Sequence, residues 1–354
     1  AKLKFSINYE DNTVGKMVEA KAVMPVNAVS TAHEAIKFLN DQYFQKASYV
    51  KTANGRPLFL CYGPEYFSTA EQWNAIFSEL STRPYFVDLA YDAGVTNEVS
   101  PYASSETVNP DAVFEWLAVP ASGELKRGQL VDQLNWFYNR YKDASYLIGS
   151  AFPSYDDETL KEAHLEDAAS SLGFKDGETF KLMLDAARQA RVDIVQLATW
   201  NDYGEGTMIE PTVERGYKEL EEVQDFRKNW GTASFTSEDL KLPIELFKIM
   251  KDPASSNALK ALAAQAYDEL FNDNVVNFRL YAQQAIEEAA KQPQAPDNPD
   301  DNPDDTNDPD NPDGPGGDNA RGGSGGGCDT AEFGGIVQAA LLVVFAARKR
   351  RFRK

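Results

Sequence analysis

Apolar positions change their spacing along this chain, and the changes predict its elements. From Leu3 to Tyr9 apolar and polar residues alternate, the period of a half-buried strand, and the run stops at Glu10 and Asp11. Helical spacing follows from about Thr31 to Leu39, then Tyr49 to Lys51 reads as a short strand before the turn at Asn54 and Gly55. Pro57 to Tyr62 is the next strand. Between about Thr69 and Leu80, Trp73, Ile76, Phe77 and Leu80 fall on one face of a helix. Pro84 to Ala90, Ala112 to Trp116 and Tyr146 to Ala151 read as strands, Gly128 to Tyr141 and Asp176 to Ala190 as helices, and the β-branched run Val192 to Ala198 as a buried strand. Strands alternating with helices predict an α/β fold with a parallel sheet and right-handed crossovers. About six such units can be counted, whereas a closed (β/α)8 TIM barrel needs eight. The expectation is a barrel lacking its first two strand-helix units, in a gene that continues upstream, because Ala1 follows no methionine or export signal.

Beyond Ala198, Glu214 to Trp230, Leu242 to Met250 and Ser256 to Ala290 carry further helical patterns. Phe247, Leu259, Leu262, Tyr267, Leu270 and Phe271 lie near helical spacing and are expected in a core. From about Gln292 to Gly327 the chain is mostly Pro, Asp, Asn and Gly, with nothing apolar to bury, so it cannot fold alone. Its acids lack the regular spacing and closing Glu of a calcium loop, which leaves a solvated spacer. Phe333 to Ala347 is then apolar apart from Gln338, and Arg348 to Lys354 is almost wholly basic. That pattern predicts a membrane anchor with its positive end in the cytoplasm and the spacer outside, although the run is shorter than a usual span of about 20 residues. The predicted organisation is residues 1–230 as the barrel, 231–291 as accessory helices packed on it, 292–327 as a linker and 328–354 as an anchor or sorting tail.

Composition narrows the function. A net charge of −20 over 354 residues opposes binding to nucleic acid and suits a neutral substrate such as a polysaccharide. Two cysteines, Cys61 and Cys328, support neither a disulfide framework nor a thiolate metal site, and no metal or cofactor is expected. His33 and His164, the two histidines, sit on predicted helices far in sequence from any acidic loop. Chemistry would therefore rest on carboxylates.

The stretch Thr199 to Pro211, TWNDYGEGTMIEP, follows directly on the last strand. Asp202 and Glu205 stand three apart, Glu210 follows, Trp200 and Tyr203 flank the acids, and Gly204 and Gly206 permit a tight turn. Cleaving a glycosidic bond takes one protonated carboxyl to serve the leaving oxygen and one ionised carboxylate as base or nucleophile. Such acids after a strand equally often cap a helix or face water. The string resembles the signature loop of glycoside hydrolase families 71 and 99, at Asn201, Asp202, Glu205, Gly206, Thr207, Ile209, Glu210 and Pro211. Asp202, Tyr203 and Gly204 stand where family 99 has Glu, Trp and His, and the order Trp-Asn-Asp-Tyr-Gly-Glu is closer to family 71. The resemblance implies a barrel enzyme acting on α-glucan or α-mannan, with Glu205 as general acid and Asp202 as partner carboxylate. It also implies that Glu205, in a partly apolar pocket, keeps its proton near neutral pH. An Asp reaches one methylene less far than a Glu, which favours a water between carboxylate and sugar, and with it inversion. Glu210, in a Glu-Pro context, reads as a loop stabiliser.

In a barrel of this kind, residues just past each strand gather at one rim. Those positions carry Glu10 and Asp11, Tyr62, Tyr91 and Asp92, Trp116, then Tyr155, Asp156 and Asp157. Together with Trp200, Asn201, Tyr203 and Glu210, the residues Glu10, Tyr62, Trp116, Tyr155, Asp156 and Asp157 are the candidate sugar contacts. For each the ordinary alternative stands beside it: Trp116 as core filler, Asp156 and Asp157 as helix caps. Ile148 to Asp157 and Asn8-Tyr9-Glu10 also resemble segments of the same two families. The tail resembles bacterial surface-sorting tails, a Gly-Cys element followed by an apolar helix and an arginine cluster, which makes Cys328 the point where a sorting peptidase would act. The combined expectation is an α-linked polysaccharide hydrolase tethered outside a bacterial envelope. The alternative is a barrel that binds such a polysaccharide without cutting it.

Overall fold

The computed structural model describes residues 4–90, 105–119, 123–156, 170–173, 177–229, 235–291 and 344–346. Its centre is a parallel sheet in which β1 (Ile7–Tyr9), β2 (Leu58–Cys61), β3 (Tyr85–Ala90), β4 (Ala112–Glu115), β6 (Leu147–Ala151) and β9 (Ile194–Leu197) lie side by side in chain order. Short β5 (Gly123–Glu124), β7 (Tyr155–Asp156) and β8 (Ser170–Leu172) form a separate three-stranded sheet, and β10 (Val344–Ala346) pairs antiparallel with β9. Six of the seven predicted strands are present and parallel, as their alternation with helices requires, whereas the predicted Tyr49–Lys51 strand makes only isolated bridges, Tyr49 to Phe5 and Lys51 to Pro57. The six do not close. Among the described residues β1 has no partner on its outer side, so the sheet is an open, curled part of a barrel.

Helices α1 (Asn12–Glu19), α2 (Ala28–Leu39), α3 (Ala70–Ile76), α4 (Ser105–Val108), α5 (Arg127–Arg140) and α6 (Glu178–Ala190) fall between strands, and α7 (Lys218–Asn229) follows β9. Local chemistry sets several ends. Thr69 and Gln72 form a reciprocal cap at the start of α3, the Thr69 hydroxyl accepting from the Gln72 N–H at 3.3 Å and the Gln72 carbonyl oxygen from the Thr69 N–H at 3.1 Å. The same helix stops at Ile76, short of the predicted Leu80, and Glu79 turns left-handed at φ 60°. Helix α1 carries too short an apolar stripe to be read from spacing, since it buries only Val14 and Gly15. A Cβ on Gly15 would come within 2.9 Å of the Tyr66 ring, so only glycine permits this approach.

Strand alternation divides the core into layers. Ile7, Tyr9, Phe59, Cys61 and Phe86 face α1 to α3, where Trp73 and Phe86 stack with centroids 4.5 Å apart. Val113, Leu147, Ala151, Val195 and Leu197 face α5 and α6. On the opposite face Leu58, Leu60, Val87, Leu89, Phe114, Ile148 and Ile194 pack together. The strand beginnings are pinned by charge: Arg56 holds Asp111 through two bonds of 2.7 and 2.5 Å, and Asp193 accepts from the Leu147 N–H at 2.9 Å. The strand ends are left to the loops.

Among the described residues, Leu242–Leu270 and 274–291 form a second compact unit. In it α8 (Leu242–Lys251) matches its own predicted pattern, while α9 (Asn257–Phe271) and α10 (Val275–Ala290) divide the single long pattern predicted for 256–290, Asn274 capping α10 through the Asn277 N–H at 3.4 Å. Leu246, Ile249, Leu259, Ala263, Ala266, Phe278, Ala282 and Ala285 are buried, and the Tyr267 hydroxyl donates to the Pro243 carbonyl at 2.7 Å. Phe247 and Phe271, expected in a core, are instead 55% and 38% exposed, because small alanines form the close-packed faces. Among the described residues no helix is long and apolar enough to cross a membrane. The spacer, Cys328, the arginine cluster and most of the predicted anchor lie outside the described residues.

Candidate active site

Four strand ends converge on a pocket of about 200 Å³. Tyr62 reaches it from β2, and Trp116, Leu117 and Val119 from β4. Phe152 enters from the end of β6, Tyr155 from β7, which follows it, and Ala198, Thr199, Glu205 and Thr207 from the loop after β9. Tyr62 and Trp116 meet edge to face with centroids 5.0 Å apart, and Trp116 meets Phe114 at 6.2 Å, so one wall is a fixed aromatic corner. Glu205 is the sole carboxylate on the lining among the described residues. A carboxylic acid against such walls can hand a proton to a bound oxygen, and the rings offer flat apolar faces.

The loop carrying Glu205 is folded against itself by its own backbone. Thr199 N–H donates to the Thr207 carbonyl at 3.1 Å, Thr207 N–H to the Asp202 carbonyl at 3.2 Å, and Ile209 and Glu210 N–H groups to the Trp200 carbonyl at 3.1 and 3.0 Å. The Thr199 and Thr207 hydroxyls are 2.9 Å apart, closing its base. Gly206 sits at φ 63°, a conformation that favours glycine, and a Cβ there would meet Asp156 at 3.4 Å. The Asp156 N–H donates to the Glu205 carbonyl at 2.8 Å, and the Ser154 hydroxyl donates to the Gly206 carbonyl. The β6 loop thus grips the turn that presents Glu205.

The other predicted residues divide. Asp202 is half-buried beside the turn but off the pocket lining, and its Oδ1 accepts from the Glu205 N–H at 3.1 Å. Its own N–H goes to the Thr199 hydroxyl at 3.0 Å, the pattern of an acid organising a turn. Tyr203 is 51% exposed, with its hydroxyl donating to Glu210 at 2.6 Å, and that bond raises the pKa of its phenol. Glu210 braces the loop, as its Glu-Pro context suggested. Trp200 packs on the cluster under α5 and α6, while Asn201, Asp156 and Glu10 are exposed. None of these four lines the pocket. Asp157, Tyr91, Asp92 and His164 lie outside the described residues. His33 is occupied with the Ile76 carbonyl at 3.0 Å, far from this chemistry in the chain.

Three further residues support the site, of which Asp11 was expected at the rim and Gln133 and Glu115 escaped pattern reading. Asp11, fully buried, accepts from the N–H groups of Glu65, Tyr66 and Phe67 at 2.9, 2.8 and 2.8 Å, and so fixes the loop after β2. Burial pushes its pKa up, and the three amides pull against that rise. Gln133 on α5 clamps Ala118, accepting from its N–H and donating to its carbonyl, both at 2.7 Å, which holds the pocket's β4 side. Glu115, just before Trp116, is 2% exposed, and burial pushes its pKa up to about 8. Asp11 looks like a rim acid in sequence, but its partners are the amides of the loop after β2, and Glu115 is engaged by Ser150 of the neighbouring strand, contacts that only the assembled sheet supplies.

No family model matches the chain. Over 198 residues it is 24% identical to a human protein named glycoprotein endo-alpha-1,2-mannosidase-like protein, a match covering 52% of this chain and 40% of that one. The chain therefore spans about two fifths of that relative's length. Two solved structures of a GH99 endo-alpha-mannosidase from Bacteroides thetaiotaomicron are also similar. One, in complex with BIS-TRIS-propane, is 19% identical with a TM-score of 0.40, covering 58% of this chain and 68% of that chain. The other is 20% identical with a TM-score of 0.39, covering 56% and 62%.

Proposed function

We propose that the chain is the catalytic part of a glycoside hydrolase acting on α-linked polysaccharide, with Glu205 as general acid. The carrying observation is Glu205 on the wall of an aromatic pocket at the strand ends, on a turn held from both sides. Tyr62, Trp116 and Tyr155 supply stacking faces for sugar rings, and Glu205 protonates the leaving oxygen. Asp202 is the partner carboxylate, acting through a water. The mannosidase-like relative favours an α-mannan over an α-glucan. Reducing-sugar release from α-mannan, α-1,3-glucan and other α-glucans tests the reading. Release on one polymer should fall by about 10²-fold or more in Glu205→Gln, on general-acid grounds. No release on any polymer, with folded protein and no polysaccharide binding, would end it.

One observation favours a second reading. Asp202 has an oxygen engaged with the Glu205 N–H and stands off the lining, which suits a pocket that binds a polysaccharide without cutting it. Retained binding with no release would select it. The proposal places the domain outside a bacterial envelope, tethered by its C-terminal tail, on the strength of the spacer, apolar run and arginine cluster. Fractionation of cells expressing wild type and Cys328→Ser tests a sorting step at that cysteine, and identical processing of the two counts against it.

A further inference from the structure

We propose that Glu115 is a positioning residue that joins the ends of β4 and β6 where their ladder stops, and so sets the aromatic wall of the pocket. The proposal deepens the reading above and rests on it for its link to sugar. Along the sheet, the β3–β4 ladder runs on to Ala90 and Glu115, and the β6–β9 ladder to Ala151 and Leu197. Between β4 and β6 it ends early, at Phe114 and Ile148. The two strand ends part there, and the pocket opens between Trp116 and Leu117 on one side and Phe152 and Tyr155 on the other.

Side-chain bonds replace the missing ladder. Ser150, two residues past the last paired position, donates its N–H to Glu115 Oε2 at 2.9 Å, and its hydroxyl donates to the Glu115 carbonyl. One pair of residues thus ties together the two strands whose next residues form opposite walls. A buried N–H must find an acceptor, so Ser150 depends on Glu115 for its own.

The tie is made by an uncharged acid. Among the described residues no Lys, Arg or His forms an ion pair with Glu115, and burial alone keeps its carboxyl protonated to about pH 8. The Ser150 N–H pulls against that rise, and the other groups around the carboxyl bring no positive charge. From α5 comes the Tyr138 phenol, buried and without a hydrogen bond, whose own ionisation Glu115 further opposes. From β3, Asp88 is a buried acid two positions before Ala90, the register partner of Glu115. Beside that phenol's hydroxyl stand Gly149 of β6 and Ala187 of α6, which carry no charge. Ionising Glu115 therefore puts an uncompensated negative charge between sheet and helix, where water must enter to solvate it. Trp116, the next residue, moves with it.

The test uses the full chain and the indole N–H resonance of Trp116, identified by its loss in Trp116→Phe. Between about pH 6.5 and 9.5 it should shift in wild type with a midpoint near the Glu115 value of about 8, and stay still in Glu115→Gln, whose amide oxygen still accepts from Ser150. No shift in wild type, or the same shift in Glu115→Gln, would overturn the proposal. Turnover gives a second arm. With half-ionisation at about pH 8, the Glu115 contribution should lower kcat/KM about tenfold from pH 7 to pH 9 in wild type, on top of the fall from the general acid itself, and only that extra fall should be absent in Glu115→Gln. The resonance needs no substrate, so its failure strikes the role of Glu115, whereas absence of turnover in wild type strikes the enzymatic reading.

Discussion

Replacing Asp11 by Ala removes one carboxylate on which three backbone donors depend. Glu65, Tyr66 and Phe67 point their N–H groups at it from 2.9, 2.8 and 2.8 Å, and the side chain is wholly buried. A buried donor left without an acceptor costs about 1–3 kcal/mol, so three of them set a floor of about 3 kcal/mol. Water entering the small vacated space, and relief from burying the acid itself, hold the total to about 3–5 kcal/mol. That is a large share of the roughly 5–15 kcal/mol typical of a domain. Asp11→Asn separates the effects of shape and bonding. Its oxygen can keep the Tyr66 and Phe67 donors while its NH2 faces the Glu65 N–H, so about one donor is lost and the expected cost is about 1–2 kcal/mol. Urea unfolding followed by far-ultraviolet circular dichroism gives both numbers, with the midpoint falling and the slope unchanged. The loop also carries the Phe67 carbonyl that accepts from the Trp73 indole at 2.8 Å, so tryptophan fluorescence should report the same transition. A loss under about 3 kcal/mol for Ala, or equal losses for Ala and Asn, would refute the count of donors.

Gln133→Ala abandons both polar groups of Ala118 and should cost about 2–4 kcal/mol by the same measure, checked by urea unfolding. Glu115→Gln should gain stability over wild type as pH rises. The folded carboxyl at about 8 lies above its ordinary 4.5, so wild type keeps its full stability below about pH 4.5 and loses about 1.4 kcal/mol per pH unit up to about pH 8. By pH 7 the gap should reach about 3 kcal/mol, and a gap flat from about pH 4.5 to 8 would show an ordinary carboxyl. A Cβ on Gly149 would collide with the Tyr138 hydroxyl, so Gly149→Ala should destabilise by about 1–3 kcal/mol, less so in a Tyr138→Phe background. Tyr138→Phe alone should be neutral or gain about 1 kcal/mol in thermal unfolding, since it deletes a buried hydroxyl with no hydrogen bond.

Order and type of the main elements were legible from spacing alone. Period-2 and continuous apolar runs mark all six parallel strands, and helical stripes such as Trp73 with Ile76 mark most helices, because each element must bury one face. Glu205 and its aromatic neighbours were legible for a related reason: residues just past parallel strands share one end of the sheet. Other features depend on partners distant in the chain. Whether Asp202 enters the pocket or holds the Glu205 turn depends on how a loop closes on itself, and of Glu115 and Trp116, adjacent in sequence, one is buried against Ser150 and the other lines the pocket. Asp11 waits on amides more than fifty residues away. A sequence states which groups are acidic, aromatic or apolar and at what period they recur. The register of strands brought together from across the chain decides which of those acids meet solvent, which meet a pocket, and which must stay protonated inside.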